Sequence, residues 1–73
     1  MSVKVAERLL ADPEAGVDSL LELIPWLTRD VLNLQARKKC AQSQDLIDQI
    51  AKEISINESA LDKVKQEIVR RCS

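Results

Sequence analysis

The spacing of apolar residues predicts helices along almost the whole chain. Two short amphipathic stripes come first, each with apolar side chains three or four residues apart and charged residues between them. The first stripe consists of Val5, Ala6, Leu9 and Leu10. The second consists of Val17, Leu20, Leu21 and Ile24. This pattern predicts two short helices in residues 1–27.

The prolines set the expected bounds of these helices. Asp12 followed by Pro13 is typical of a helix start, since Asp caps free N–H groups and Pro has no N–H to leave unpaired. Pro25 is expected to end the second helix at about Leu23, because the residue before a proline avoids the α conformation. A third helix then begins at Pro25 or Thr28.

From Thr28 onward the chain contains no Gly or Pro, and its apolar residues follow a heptad repeat. The a positions are all apolar, and the d positions are mixed. The a series is Cys40, Ile47, Ile54, Leu61 and Ile68. The d series is Ser43, Ile50, Asn57, Val64 and Arg71. The repeat predicts one long coiled-coil-like helix over residues 28–72.

A competing signal lies in the middle of this helix. Ser55 and Glu58 have the spacing of a capping box. Asn57 could also cap a helix, or it could form a polar layer at its d position that fixes the register of the seam. A turn near residues 55–57 would fold the chain into a four-helix bundle. The heptad register continues from Ile54 to Leu61, which favours a continuous helix. The sequence therefore predicts an all-α fold, a single module of residues 1–73 with two short helices packed on a long one, and the four-helix bundle as the alternative.

The size of the chain indicates that a partner is needed. A 73-residue chain with a single aromatic residue, Trp26, has little material for a core. Disulfides, a metal or a partner chain usually compensate in such small domains. We expect no metal and no cofactor, because the chain has no His and no CxxC pair. Cys40 and Cys72 are expected to be reduced thiols in an intracellular protein, cytoplasmic or nuclear, because no apolar signal segment lies in residues 1–10.

The charge pattern argues against nucleic acid and membrane as partners. The net charge is −1, with −3 in residues 1–36 and +2 in residues 37–73. The basic run Arg37–Lys39 is interpreted as a solvated helix face. The apolar stretch Leu20–Leu27 is interrupted by Glu22 and Pro25, so we expect no direct membrane insertion.

The sequence contains no residue pattern typical of a catalytic site. There is no His to act as a general base, and the carboxylates are spread along predicted solvent faces. Cys40 is interpreted as a small buried residue of the seam rather than a nucleophile. Trp26 is interpreted as a plug in the N-terminal core, with an exposed anchor for a partner as the alternative. We therefore expect a protein that is not an enzyme.

The heptad seam leads to the predicted function, a non-catalytic protein–protein interaction or assembly subunit. A hetero-oligomer with another helical chain is favoured over a homodimer, because parallel self-pairing of the long helix would oppose Glu53 and Glu58. A compact helical-bundle adaptor or chaperone that binds an amphipathic helix of a partner is the alternative. The predicted partner-binding residues are Cys40, Ile47, Ile50, Ile54, Leu61, Val64 and Ile68.

Overall fold

Three helices and two short connections make up the computed structural model, which describes residues 2–72, apart from the Ser2 side chain. The helices are α1 (Ser2–Ala11), α2 (Val17–Cys40) and α3 (Gln44–Cys72), and the described residues contain no strand. Helices α2 and α3 are joined by residues 41–43 and form an antiparallel hairpin, against which α1 packs. The molecule measures 45 × 18 × 17 Å. The predicted all-α fold and its short N-terminal helix are confirmed.

The connection between α1 and α2 is longer than predicted. The structure does not start a helix at Pro13: residues 12–16 form a turn, and α2 begins at Val17 after an extended Gly16. Asp12 acts within this turn. Its Oδ1 accepts a hydrogen bond of 2.9 Å from the Glu14 N–H, and its carbonyl accepts one of 3.2 Å from the Ala15 N–H. The Asp side chain therefore stabilises a turn, which it can do as readily as cap a helix.

The prediction that a helix ends before Pro25 is wrong, since α2 continues through this residue to Cys40. A proline inside a helix removes one backbone hydrogen bond and costs about 3 kcal/mol. Pro25 is exposed, so water can reach the carbonyl that loses its partner. Burial of an aliphatic side chain contributes about 1.5–3 kcal/mol, and five residues buried at helical spacing on both sides of Pro25 outweigh the cost. They are Leu20, Leu23, Leu27, Val31 and Leu34.

The prediction of one continuous helix over residues 28–72 is also wrong, because the chain reverses at residues 41–43. Ala41 is extended, with φ −71° and ψ 135°, and the Ser43 carbonyl accepts the first hydrogen bond of α3 from Ile47 at 3.0 Å. Ser is a preferred residue at this capping position. The basic residues Arg37–Lys39 lie in the last turn of α2, and the acidic Asp45 lies in the first turn of α3. Both placements interact favourably with the helix dipoles. The reversal lets the apolar stripes of α2 and α3 bury each other.

Residues 55–57 lie inside α3, so the predicted continuity of the helix at this point is confirmed and the alternative turn is not formed. The Asn57 side chain makes a local bond instead: its Nδ2 donates to the Glu53 carbonyl at 2.8 Å. Asn57 is thus neither a helix cap nor a fully buried polar layer.

The best-packed part of the core lies where all three helices meet. Leu20, Leu27 and Val64 are fully buried there, together with Ala6 of α1. Toward the 41–43 turn, where only two helices pack, the buried residues Val31, Leu34 and Ile50 retain 6–9% exposure. Helix α1 therefore completes the burial of the core at one end of the hairpin only.

Candidate protein-interaction surface

Helix α1 covers one side of the hairpin, which we call the covered face. Val3 and Glu7 of α1 line one cleft together with Ser59 and Ala60 of α3. The same two residues line a second cleft, whose other residues come from both long helices and include Arg37 of α2. Small side chains permit the close approach, since Ala6 is fully buried and Ala60 is 7% exposed. Helix α1 thus covers part of this face, although Ile56, which lines both clefts, stays 56% exposed.

The opposite side of the hairpin, the open face, carries a groove whose lining residues all belong to α2 and α3. These residues are Gln35, Lys38, Lys39, Ile47, Ile54 and Glu58. Side chains seven residues apart share one side of a helix, because successive residues rotate by about 100°. Leu21 and Thr28 therefore share the side of Gln35, and Leu32 lies one turn beyond Thr28. The open face comprises Leu21, Thr28, Leu32 and Gln35 of α2 with Ile47, Ile54, Leu61 and Ile68 of α3.

Apolar side chains on the open face are incompletely covered. Leu21 is 47% exposed and Leu32 is 60% exposed. The a-series residues of α3, from Ile47 to Ile68, are half-buried, although Leu61 and Ile68 pack against the main core cluster. The open face therefore carries partly exposed aliphatic side chains, and its groove is also lined by Gln35, Lys38, Lys39 and Glu58.

The predicted partner-binding residues separate into three groups. Ile50 and Val64 are buried in the hairpin, at 6% and 0% exposure, so they stabilise the fold. The half-buried residues of the open face remain accessible in part. They are Ile47, Ile54, Leu61 and Ile68. Cys40 stands apart from both groups, at the end of α2. A role of these residues in partner binding stays a prediction.

Both cysteines are free and exposed, so the interpretation of Cys40 as a buried seam residue is wrong. Cys40 ends α2 beside the 41–43 turn, whereas Cys72 ends α3 at the other end of the hairpin. Since α2 alone spans about 36 Å, the two sulfur atoms of one chain are too far apart for a disulfide.

The interpretation of Trp26 as a plug of the N-terminal core is also wrong. Its side chain is 57% exposed and borders a shallow depression with Pro25 and Arg29. Leu20, Leu23 and Leu27 occupy the positions of α2 that face the core. In the sequence, Trp26 lies between Leu23 and Leu27, whose side chains face the core. Because successive residues of a helix point in different directions, the Trp26 side chain points away from the core.

Arg71 ties the end of α3 to the connection between α1 and α2. Its guanidinium donates to the Asp12 carbonyl at 3.1 Å and also to the Ala15 carbonyl. Its Nε donates to Glu67 at 2.8 Å, and Arg70 binds the same carboxylate at 3.0 Å through its own Nε. Arg71 therefore supplies hydrogen bonds to a turn whose carbonyls are not all paired within a helix.

Glu67 is held in its ionised form by these two arginines. Hydrogen bonds from Arg70 and then Arg71 lower the pKa of the Glu67 carboxyl from 4.5 to about 2. Charged donors stabilise the carboxylate over the neutral acid. The Glu67 carboxylate consequently keeps its charge, and orients Arg71, at any pH above the acid range.

Comparisons with known proteins give no relative: no protein-family model, curated protein or solved structure matches this chain. Residues 2–72 contain no helix that has the length and hydropathy to cross a membrane. The same residues hold no group of three or more Cys, Asp or Glu side chains arranged to bind a metal ion.

Sequence reasoning predicted the pairing of Glu67 with Arg71, but it missed Leu21, Leu32 and the contacts of Arg71 with the connection between α1 and α2. It placed Leu21 on the buried stripe of a short helix, although the continuous helix turns this residue to the open face. A usable signal was present, since Leu20, Leu27 and Leu34 are seven residues apart and predict one long stripe across Pro25. The contacts of Arg71 join positions more than 50 residues apart, so no local pattern could have revealed them.

Proposed function

We propose that the chain is a non-catalytic protein–protein interaction module that binds an amphipathic helix along its open face. The observation that carries the proposal is the aliphatic surface of that face, with Leu21 and Leu32 about half exposed beside the half-buried Ile54 and Leu61. A helix laid along the groove would remove these side chains from water, which is the main source of affinity in such complexes.

The hairpin favours the compact adaptor over an extended coiled coil. An intermolecular seam from Cys40 to Ile68 requires one straight helix, whereas the chain reverses at residues 41–43. The d-type residues Ile50 and Val64 are already buried by α2, so they are not available for a partner without unfolding the hairpin. The a-type residues of α3 are half-buried, and they form the part of the apolar stripe that a partner can still reach.

The polar residues of the groove suit recognition of a helix with an apolar side and charged flanks. Lys38 and Lys39 line it on α2, and Glu58 lines it on α3. An apolar strip with charges of both signs at its edges can fix the position and direction of a bound helix. The proposed function therefore needs no catalytic group.

Site-specific photo-cross-linking in cell extract tests this proposal. A photoreactive residue is placed at Gln35, in the groove, and a matched one at Asn33, which lies on the outer side of the same helix. We expect cross-links at position 35 to a segment with helical amphipathic spacing, mapped by mass spectrometry, and none of comparable yield at position 33. Introduction of Ile54→Asp should abolish them.

Two results would overturn the proposal. One is equal cross-linking at positions 35 and 33, which would indicate random collisions. The other is a cross-link at position 35 that survives Ile54→Asp in a protein with an unchanged circular dichroism spectrum, since the apolar groove would then contribute nothing to binding.

A further inference from the structure

We propose that α1 is a detachable lid, which opens from the hairpin while α2 and α3 stay packed, and that Arg71 is the latch that holds it closed. Because the lid occupies the covered face, its opening is independent of the helix proposed for the open face. Three features carry the inference: the contacts that hold α1, the burial that the hairpin achieves alone, and the place of the long-range hydrogen bonds.

Helix α1 is held on the hairpin by apolar contacts. Within residues 2–72, no hydrogen bond or ion pair joins a described side chain of α1 to α2 or α3. Its fully buried residue is Ala6, whose side chain is a single methyl group, while Val3, Leu9 and Leu10 stay half-buried. Since the hydrophobic contribution follows the apolar area removed from water, Ala6 contributes less than a buried Leu would.

Water reaches the interface beneath α1. Two clefts of about 380 and 540 Å³ lie between α1 and the long helices. Ile56 lines both clefts and is 56% exposed, so α1 does not fill the groove in which it lies. The closed lid therefore leaves part of the apolar surface beneath it in contact with solvent.

The short length of α1 makes its release and its unfolding one event. Isolated helices shorter than about 12–15 residues are marginal in water. Helix α1 has ten residues, so its backbone hydrogen bonds depend on the contacts with the hairpin. Release of α1 is therefore a two-state local unfolding, of the kind that cooperative segments undergo in native proteins.

The hairpin buries apolar side chains without α1. Val31, Leu34 and Ile50 lie outside the core cluster that α1 joins, and they retain only 6–9% exposure. Packing of α2 on α3 is thus sufficient to bury Leu and Ile. The two long helices therefore stay paired when α1 leaves, and the opening bares an apolar groove that includes Leu23 and Ala60.

The long-range hydrogen bonds of the described chain lie at the hinge of this lid. They run from the Arg71 guanidinium to the carbonyls of Asp12, at 3.1 Å, and of Ala15. Outside the backbone bonds within the helices, the other hydrogen bonds of residues 2–72 join positions at most four apart. The Arg71 side chain is 13% exposed and is held on α3 by Glu67, so the latch is fixed while the carbonyls belong to the moving segment.

Opening of the lid breaks the latch. Asp12 directly follows the last residue of α1, and its N–H donates to the Leu9 carbonyl at 3.2 Å. Release of α1 therefore moves the Asp12 carbonyl away from Arg71. Conversely, loss of the Arg71 side chain removes the hydrogen bonds that keep the hinge against α3, and shifts the equilibrium toward the open lid.

Alkylation of single thiols in the full chain tests the lid. In the Cys40→Ser/Cys72→Ser background, Ala60→Cys places a thiol beneath α1, and Val31→Cys places one in the hairpin at similar burial, 7% and 9% exposed. We expect the thiol at position 60 to react about tenfold faster or more, because it needs the local opening alone. Its rate should change little at low urea, whereas the rate at position 31 should rise steeply with the surface exposed by unfolding.

Removal of the guanidinium tests the latch. Arg71→Ala should raise the alkylation rate at position 60 about tenfold, since opening then no longer breaks two hydrogen bonds from a charged donor. The urea dependence at this position should stay weak. Arg70→Ala is the matched control, because the Arg70 side chain is 71% exposed and contacts its own helix through Glu67, and it should leave the rate unchanged.

Amide hydrogen exchange of the unsubstituted chain gives a second measurement that no substitution can disturb. The amides of Leu9 and Leu10 in α1 should exchange through an opening of lower free energy, and weaker urea dependence, than the amides of Leu27 and Val64 in the hairpin. This difference is expected because release of α1 exposes only a small part of the surface that global unfolding exposes.

Three results would each overturn the inference. Equal alkylation rates at positions 60 and 31 with the same urea dependence would show that the chain opens only as a whole. A rate at position 60 that ignores Arg71→Ala, in a variant with an unchanged circular dichroism spectrum, would remove the latch. A single opening free energy for the amides of α1 and the hairpin would remove the lid. Cross-linking at position 35 is independent of all three, so the proposed function is judged separately.

Discussion

The two faces of the α2–α3 hairpin are built from the same helices and differ in what lies on them. On the covered face, Ala6 of α1 is fully buried, and Leu23 and Ala60 are 7% exposed. On the open face, Leu21 and Leu32 are about half exposed. A helix of ten residues covers part of the first face, where Ile56 stays 56% exposed, while no helix of the described chain lies on the second.

This difference shows that the apolar pattern of a helix does not reveal what will cover it. Where α1 approaches, the covered face has the small residues Ser59 and Ala60 beside Ile56, and the open face has Ile and Leu. Large exposed aliphatic side chains contribute little to the stability of a single copy. Their grouping on one side is what a binding surface requires.

The largest effect should come from the core shared by both faces. Leu27 is fully buried, so Leu27→Ala should lower the free energy of unfolding by about 2–5 kcal/mol. Leu32→Ala, in the same helix but on the open face, should cost less than about 1 kcal/mol in dilute protein. Urea unfolding followed by circular dichroism measures both values. Equal losses for the two variants would mean that the faces do not differ as described.

Overpacking under α1 should give the next largest effect. Ala6→Leu adds three heavy atoms where the side chain has no exposed surface, and should cost about 1–3 kcal/mol. Ala36→Leu introduces the same change at an exposed position of α2 and should be nearly neutral. Thermal unfolding compares the two, and a neutral Ala6→Leu would show that α1 does not close the covered face.

Loss of the Arg71 side chain should have a smaller effect. Arg71→Ala removes the hydrogen bonds to the Asp12 and Ala15 carbonyls and should destabilise the protein by about 1–2 kcal/mol. Arg70→Ala is the control, since the Arg70 side chain is 71% exposed and contacts only its own helix through Glu67. Denaturant titration measures both, and an Arg71→Ala loss no greater than the control would contradict the assigned contacts.

The smallest effect concerns acid pH. The pKa of Glu67 is lowered in the folded protein, from 4.5 to about 2, by Arg70 first and then Arg71. Its contribution to stability is therefore complete above about pH 4.5 and is lost as the pH falls toward 2. Over this range, the wild type should lose more stability than Glu67→Gln in pH-dependent urea titrations. Parallel pH dependences of the two proteins would contradict the shifted pKa.

The all-α fold could be predicted from the sequence because spacing and composition both indicate helices. The helix bounds could not, for reasons that lie in tertiary packing. Pro25 is tolerated because the Leu20–Leu27–Leu34 stripe remains in phase across it, and the turn at Ser43 is favoured because it buries that stripe on α3. The heptad series from Cys40 to Ile47 crosses this turn, so its regularity there did not reflect one continuous helix.

The candidate surface was predictable only in part. Ile47, Ile54, Leu61 and Ile68 follow from the heptad repeat, and they do lie on one side of α3. The addition of Leu21 and Leu32 depends on the reversal of the chain, and the side left open depends on where α1 docks. Docking of α1 is a choice between two apolar faces that the local sequence does not specify.

The central claim is that the open face is the surface through which the chain associates, and thiol protection tests it most directly. Thr28→Cys on the open face and Asn33→Cys on the outer side of α2 are compared in the Cys40→Ser/Cys72→Ser background. When cell extract is added, alkylation of Cys at position 28 should slow while alkylation at position 33 stays constant. An unchanged rate at position 28, or equal slowing at both positions, in variants that retain the folded circular dichroism spectrum, would contradict the account.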